Sequence, residues 1–374
     1  MKIEDKIKVG SDFSGVGAFD QALLRLGIDY ETVFACDMDK YARKTFIHNY
    51  GEPKYYPENV YDREIPKDSL DIYMTSPPCQ AFSLAGKRKG EDDKRGILFY
   101  NSHEFIKKNN PRYFIFENVK GLLSDDNGKT FARWIDLLSG KSVNGNPVIF
   151  PNENSAPYHV YHKVLNAKSF EVPQNRERVF IIGIRDDVDN IFSFPKEFTL
   201  VKRLKDVLEE NVDEKYYLSE KLINLFIKHT EKHRAKGNGF KFKTKDLNNI
   251  GQAVTTRAGT RPDDNYIKVN SATSKGYELA QVGEDSINFE HPNSETRRGR
   301  VGVGQTLTTS CNQGVAKSKD IIRKLTPREC FRLMDFPDTF DFSVVSDSQA
   351  YKQAGNSIVV NVLCEIIKKL SLTN

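Results

Sequence analysis

The sequence predicts an α/β chain with a Rossmann-like domain built on an open sheet, and a smaller, irregular β-rich domain placed late in the chain. Three observations predict this. An apolar strand at Lys8–Phe13 runs into Gly15-x-Gly17 and then into a helical pattern with Phe19, Ala22, Leu23 and Leu26 on one face. Further short apolar runs follow, and several end in a polar or reactive residue where a strand would leave the sheet. From about Phe194 to Asp320 this pattern gives way to interleaved basic and aromatic residues with frequent Gly and Pro.

The glycines at 15 and 17 let the backbone approach a ligand closely. The dinucleotide fingerprint needs a third Gly or Ala, and Asp20 stands there, which favours a compact cofactor without phosphates over a pyrophosphate. A second strand, Thr32–Cys36, ends at Asp37, placed to bind ribose hydroxyls, with Met38 available to pack on an adenine. A third strand is expected to end near Asn59–Val60, at an adenine contact.

The fourth strand, Leu70–Thr75, runs into Ser76-Pro77-Pro78-Cys79-Gln80. Two prolines cannot continue a ladder, because each lacks a donor and fixes φ, so the chain must leave at the carboxyl edge with Cys79 at the tip. A thiol there, beside Gln80 and Ser83, is a candidate nucleophile. The loop Gly86–Arg95, with Lys87, Arg88, Lys89, Lys94 and Arg95 and no apolar face, should be mobile and suited to phosphates. A helix beginning near Gly96 should end before Pro111. The fifth strand, Arg112–Phe116, delivers Glu117-Asn118-Val119 to the same edge, where a carboxyl and a thiol can meet. A helix near Phe131–Leu138, a surface insertion over 139–157, and the last two strands, Tyr158–Leu165 and Val179–Ile184, complete the sheet. Between those strands Arg176 and Arg178 alternate and so share a face. Each of these residues alone also has a plainer reading: an incidental buried thiol, a strand-end cap, a salt bridge to Glu177 or Asp186.

The bulk numbers bound the class. The chain has 374 residues, 38% hydrophobic and 29% charged, which suits a two-domain globular protein. No run reaches membrane-spanning length and the start is not a signal peptide. Five scattered cysteines give neither a disulfide framework nor metal-ligand spacing, so a reduced, cytoplasmic setting with no membrane and no metal is expected. The net charge of +5 resides between Val201 and Asp320, where 21 Lys and Arg face 16 Asp and Glu. That distribution suits a polyanion-facing module beside a neutral catalytic one, or simply solvated lysines. Within it Gly251–Thr256 and Gly304–Thr309 faintly echo each other, flanked by Arg257 and Arg261 and by Arg297, Arg298 and Arg300. Regular structure returns at Thr326-Pro327-Arg328-Glu329, a capping box for a helix that stops before Pro337. Gln353-Ala354-Gly355-Asn356-Ser357 is expected to open a last amphipathic helix that packs on the first domain.

Six blocks now stand in one order: Asp12–Gly17, Pro77–Gln80, Glu117–Val119, Gln174–Arg178, Arg323–Pro337 and Gln353–Ser357. Together, with a variable basic region between the fourth and fifth, this arrangement resembles the DNA cytosine carbon-5 methyltransferases, the bacterial restriction-modification type, over nearly the whole chain. The resemblance implies an S-adenosyl-L-methionine-binding methyltransferase domain over 1–195 and 320–374, and a target recognition domain over 196–319 across a DNA-binding cleft. It implies that a cytosine is flipped out of duplex DNA at a specific sequence, that Cys79 adds to the ring, and that Glu117 hydrogen-bonds its nitrogen 3. Arg178 would hold the base carbonyl oxygen, and Arg176 would support Glu117 and the Cys79 loop. The cofactor would meet Phe13, Gly15, Val16, Gly17, Asp37, Met38, Asn59, Val60, Pro78, Leu98, Asn356 and Ser357. DNA would meet Gln80, Ser83, Lys87, Arg88, Lys89, Arg95, Arg257, Arg261, Arg297, Arg298, Arg300 and Thr306. Asn59, Pro77 and Met38 depart from the family's usual acid, aromatic and tryptophan. The resemblance also implies a monomer, a bacterial or phage source, and a separately acting restriction endonuclease as a possible companion. A tRNA cytosine methyltransferase keeps the chemistry and changes the substrate, but its usual Cys-Phe-Thr signature is absent here. A non-catalytic regulator on the same fold would be expected to lack Cys79 or Glu117.

Overall fold

The computed structural model describes residues 6–78, 98–188, 190–237, 241–269, 271–273, 276–278, 286–288, 313–315 and 321–372. The chain divides into two compact units, Met1–Lys202 with Phe331–Asn374, and Arg203–Cys330.

The first unit is organised by one eight-stranded sheet. Its strands are β1 (Ile7–Asp12), β2 (Tyr30–Cys36), β3 (Ile72–Thr75), β4 (Tyr113–Val119), β5 (Ser142–Val143), β6 (Asn146–Pro147), β7 (Tyr158–Asn166) and, after the two-residue stretch β8 (Gln174–Asn175), β9 (Glu177–Arg185). The order is β2-β1-β3-β4-β9-β7-β5-β6. β2, β1, β3 and β4 run parallel, and β9 is antiparallel to both β4 and β7. The register aligns Asp12 with Cys36 and Thr75, and Thr75 with Phe116, so the strand tips share one carboxyl edge.

Parallel strands need cover on both faces, and the sequence supplies it by burying successive residues on alternate sides. Phe34, Tyr73, Phe114 and Phe116 form one buried cluster with Phe99, Phe105 and Trp134. The latter come from α3 (Leu98–Asn109) and α4 (Lys129–Leu138). Phe99 stacks on Trp134 at 4.2 Å between ring centroids. Tyr113 lies on the other side of β4, and its hydroxyl reaches the Ser371 carbonyl at 2.8 Å. On that side α1 (Ala18–Arg25) packs against α8 (Val360–Ile367), the last helix. α2 (Lys40–Tyr50) is capped by Asp39, whose carboxylate accepts from the Tyr41 and Ala42 amides.

Two expectations fail here. No strand ends at Asn59–Val60: residues 51–71 form no regular strand or helix. Tyr55 and Pro57 do run beside β2, accepting from the Ala35 and Asp37 amides at 3.1 and 3.3 Å. Pro53 and Pro57 have no amide hydrogen to return, so a ladder cannot form. The insertion 139–157 is not wholly outside the sheet either. It contributes the β5–β6 hairpin at the far edge, with Asn144 and Gly145 at positive φ in its two-residue turn.

The second unit holds α5 (Glu220–Ala235), the two-residue stretches β10 (Thr244–Lys245) and β11 (Gly251–Gln252), β12 (Tyr266–Val269), two short hairpins formed by β13 (Ser271–Thr273) with β14 (Gly276–Glu278) and β15 (Ser286–Asn288) with β16 (Gln313–Val315), and β17 (Ile321–Lys324). β12 lies between β10 and β17. Phe226, Tyr266 and Ile322 form its core, with Phe242 packed against them. α6 (Pro327–Leu333) leads out of it. Its start is the expected capping box: Glu329 accepts from the Thr326 amide at 2.9 Å, and Thr326 Oγ1 accepts from the Glu329 amide at 3.2 Å. Glu329 is fully buried and pairs bidentately with Arg323 at 2.7 and 2.8 Å.

Candidate active site

The carboxyl edge of the parallel strands gathers the candidate residues. After β1 the chain turns sharply: Phe13, Gly15 and Gly17 all have positive φ, at 57°, 55° and 84°. At Gly17 a Cβ would stand 2.3 Å from the Tyr50 ring, so glycine is required by space as well as by φ. At Gly15 no described residue lies within 4 Å of where a Cβ would be, which leaves an open cradle in front of the turn among the described residues. Asp37, one residue past β2, braces that turn: its Oδ2 accepts from the Gly15 amide at 2.8 Å and its Oδ1 from the Asp39 amide at 2.8 Å. Burial pushes the Asp37 carboxyl up, against those two amides. Met38 beside it is 83% exposed, an apolar side chain held in solvent at the edge of the cradle. Val16 and Val60 are buried, and Asn59 is exposed and accepts from the Tyr61 amide at 3.1 Å, closing a turn. An acid, an open glycine turn and an exposed thioether around one cradle fit the ribose and adenine of S-adenosyl-L-methionine.

The adjoining strands carry the reactive groups. β3 ends at Thr75 and the chain continues through Ser76, Pro77 and half-buried Pro78. The Asn118 side-chain Nδ2 donates to the Pro77 carbonyl at 3.5 Å, and the Ser76 hydroxyl to the Phe13 carbonyl at 3.5 Å, so this exit is tied to both neighbours. Glu117 on β4 is 8% exposed and pairs with Arg178 Nε at 3.0 Å. β9 makes that possible: Glu117 lies opposite Phe180, so Arg178 sits diagonally on the same face. Burial pushes the Glu117 carboxyl up, with Arg178 and then Arg176 opposing. Arg178 also donates to the Glu177 carbonyl at 2.8 Å. Its carboxylate partner is thus Glu117 and not Glu177 or Asp186, which bind Lys120 and Lys141.

Arg176 is buried and its Nη2 donates to the Gly355 and Ser357 carbonyls at 3.0 and 2.8 Å. This corrects the expectation for Gln353–Ser357. The segment closes α7 (Asp347–Asn356) and does not open the last helix, which starts at Val360. The buried face of α7, with Ala350, Tyr351 and Ala354, carries the helical pattern up to Gly355. The Ser357 amide donates to the Gln353 and Ala354 carbonyls, and the Asn356 side chain is exposed. Leu98, half-buried, opens α3 near the same edge.

Several expected site residues lie outside the described residues: Cys79, Gln80, Ser83, Lys87, Arg88, Lys89 and Arg95 with the loop 86–95, and Arg297, Arg298, Arg300 and Thr306 with the second echo. Arg257 and Arg261 belong to the second unit, on a loop folded around Asp264. Its Oδ2 accepts from the Thr260 and Arg261 amides at 3.1 and 2.9 Å.

Sequence reasoning misses two supporting residues. Arg43 donates to the Tyr56 and Pro57 carbonyls at 2.7 and 3.0 Å and lies over the Tyr56 ring, pinning the strandless segment beside Asp37. Asn118 stands out in the sequence only as part of a motif, and its hold on Pro77 needs the register of β3 and β4 to be seen. No sequence signal marks Arg43, because its partners are backbone carbonyls.

Comparison with known proteins bears on the family and the fold. Residues 7–372 match the family model described as C-5 cytosine-specific DNA methylase. The chain is 33% identical to the orphan methyltransferase M.SPRI of Bacillus phage SPR, covering 98% of this chain and 97% of that one. It is 34% identical to the type II methyltransferase M.HpaII of Haemophilus parainfluenzae, covering 96% and 87%. Among solved structures it resembles the S. pombe Dnmt2 methyltransferase, with TM-score 0.63, 18% identity and 97% of both chains covered. The same fold recurs in a Spodoptera frugiperda DNMT2, with TM-score 0.64, 22% identity and coverage of 96% and 98%.

Proposed function

Because the chain belongs to the C-5 cytosine-specific DNA methylase family, we propose that it methylates carbon 5 of a cytosine flipped out of duplex DNA, with Cys79 as nucleophile and Glu117 as its acid partner. The observation that carries these roles is the Glu117–Arg178 pair, buried at the tip of the strand beside the one that leads into Pro77-Pro78-Cys79.

Cytosine carbon 5 is a poor nucleophile. Addition of the Cys79 thiolate to carbon 6 makes a C–S bond and pushes the ring electrons toward carbon 5 and nitrogen 3. Glu117, its carboxyl raised by burial, donates a hydrogen bond to nitrogen 3 and offsets that charge. Arg178, already on Glu117 at 3.0 Å, is placed to reach the base carbonyl oxygen. Arg176 holds the linker after α7 and adds positive potential behind Glu117. S-adenosyl-L-methionine, when bound, supplies an electrophilic methyl group. Phe13, Gly15, Gly17, Asp37, Met38, Val60 and Asn356 would hold it, with Val16, Asn59, Pro78, Leu98 and Ser357 around them. Loss of the carbon-5 proton then lets the C–S bond break and returns the thiol.

The second unit, with the basic stretch and the braced Arg257–Arg261 loop, serves as the target recognition domain. Phosphates supply most of the affinity and base edges the sequence choice. By the same reading Gln80, Ser83, Lys87, Arg88, Lys89, Arg95, Arg297, Arg298, Arg300 and Thr306 are the residues that would meet DNA. A monomer, acting with or without a companion endonuclease, is sufficient for this chemistry.

Mapping modified bases in DNA from cells expressing the chain tests the reading. Carbon-5 methylcytosine at one short sequence, lost in Cys79→Ala and Glu117→Ala, is the expected result. Methylation confined to tRNA, or none with wild-type protein, overturns it.

A further inference from the structure

Below the proposed cofactor cradle lies a buried ion pair that the chemistry above does not use. Asp12 is the last residue of β1, and Arg63 sits in the strandless segment that carries Asn59 and Val60. Arg63 Nε meets Asp12 Oδ1 at 2.9 Å, with side chains only 3% and 0% exposed. Tyr73 on β3 donates to the other carboxylate oxygen at 2.6 Å. The Arg63 guanidinium lies over the Phe105 ring at 4.5 Å, and Phe34 stands at 5.8 Å. A charge pair taken so far from water repays its desolvation poorly as a stability device, and its best-attested use is to fix one arrangement among several.

The arrangement it fixes is specific. Asp12 immediately precedes Phe13, where the turn enters positive φ toward Gly15. Three residues before Arg63 is Val60, and four before is Asn59. The pair therefore ties the two walls of the cradle together: the glycine turn on one side and the 59–60 segment on the other. The second wall has no ladder of its own. Its hydrogen-bonded ties through the Tyr55 and Pro57 carbonyls on β2 and through Arg43 on Tyr56 and Pro57 lie before Asn59. Past Asn59, Val60, Ile65 and Leu70 pack in the apolar cluster under the sheet, and Arg63 adds a charged tie to the end of β1.

We infer that Arg63 is a positioning residue for S-adenosyl-L-methionine, acting through Asp12 to hold the 59–60 wall at adenine distance from the glycine turn. The inference rests on the reading of this edge as the cofactor site.

The test compares the full chain with Arg63→Met, Arg63→Lys and the charge-neutral double variant Asp12→Asn/Arg63→Met. Cofactor affinity is read by titration calorimetry with S-adenosyl-L-methionine, duplex affinity by fluorescence anisotropy, and stability by urea. Arg63→Met should weaken cofactor binding about tenfold or more, and raise the cofactor KM far more than it lowers kcat. Arg63→Lys should recover part of it. The double variant should regain stability without regaining cofactor affinity, which separates positioning from folding and keeps the test alive if Arg63→Met folds poorly. Cofactor affinity restored in the double variant, or unchanged in a folded Arg63→Met, overturns the inference. Failure of the wild-type chain to bind the cofactor at all would instead strike the reading of the edge itself.

Discussion

Asp20 offers a sharp test of how α1 is seated on the sheet. It lies in the first turn of α1, 2% exposed, and its Oδ1 accepts from the Thr32 hydroxyl of β2 at 3.1 Å. Burial pushes its carboxyl up to about 7, opposed by that hydroxyl and a backbone amide; burial also raises the Tyr30 and Tyr50 hydroxyls, and the Asp20 charge adds to it. An unfolded Asp titrates near 3.9, so between about 4 and 7 the folded chain keeps a proton that the unfolded chain has lost. The contribution is therefore complete below pH ~4, declines as pH rises, and is gone above about 7. A rise of about three units at ~1.4 kcal/mol each makes the difference on the order of 4 kcal/mol. Asp20→Asn keeps the acceptor for Thr32 and has no charge to desolvate. It should be more stable than wild type by about 3–4 kcal/mol at pH 8 and within about 1 kcal/mol at pH 4.5. Urea unfolding followed by the fluorescence of Trp134, the chain's single tryptophan and buried in this unit, reads the difference directly. A stability gain that does not change with pH would refute the reasoning, because it would mean Asp20 is not ionising against burial.

Gly17→Ala should cost about 1–3 kcal/mol, since its Cβ meets the Tyr50 ring at 2.3 Å in a backbone region alanine disfavours. The melting temperature should fall, and cofactor affinity should fall beyond what the stability change explains. Arg323→Met strands the buried Glu329 carboxylate and should cost about 3–5 kcal/mol, seen by calorimetry of the whole chain. Arg257→Ala with Arg261→Ala should weaken duplex binding and lower the slope of log affinity against log salt by about 0.9 for each phosphate no longer neutralised. Cofactor affinity should not move, and an unchanged salt slope would show that neither arginine neutralises a phosphate.

Much of the fold is legible because its signals are local. The Gly15–Gly17 turn, the Pro77–Pro78 exit and the Thr326–Glu329 capping box each follow from a few neighbouring residues whose dihedral limits leave few options. The Glu117–Arg178 meeting is partly legible: alternation puts Arg176 and Arg178 on one face, but only the antiparallel register with β4 decides which carboxylate they face. What fails is non-local. The run at Asn59–Val60 looks like a strand end, yet prolines at 53 and 57 deny β2 a second partner beyond β1, and arginine side chains add ties where a ladder would run. The helix start expected at Gln353 is a helix end, because the apolar spacing of Ala350, Tyr351 and Ala354 continues into it from upstream. The Asp12–Arg63 pair spans 51 positions and no periodicity announces it.

The claim on which the rest depends is a covalent bond between Cys79 and carbon 6 of the flipped cytosine. A duplex carrying 5-fluorocytosine at the mapped target blocks release, since fluorine cannot leave carbon 5 as the proton does. Incubated with S-adenosyl-L-methionine, the wild-type chain should form a denaturation-resistant complex, and peptide mass spectrometry should place the nucleotide on Cys79. An adduct on another residue, or methylation of ordinary cytosine with no trapped complex on the fluorinated duplex, would contradict it.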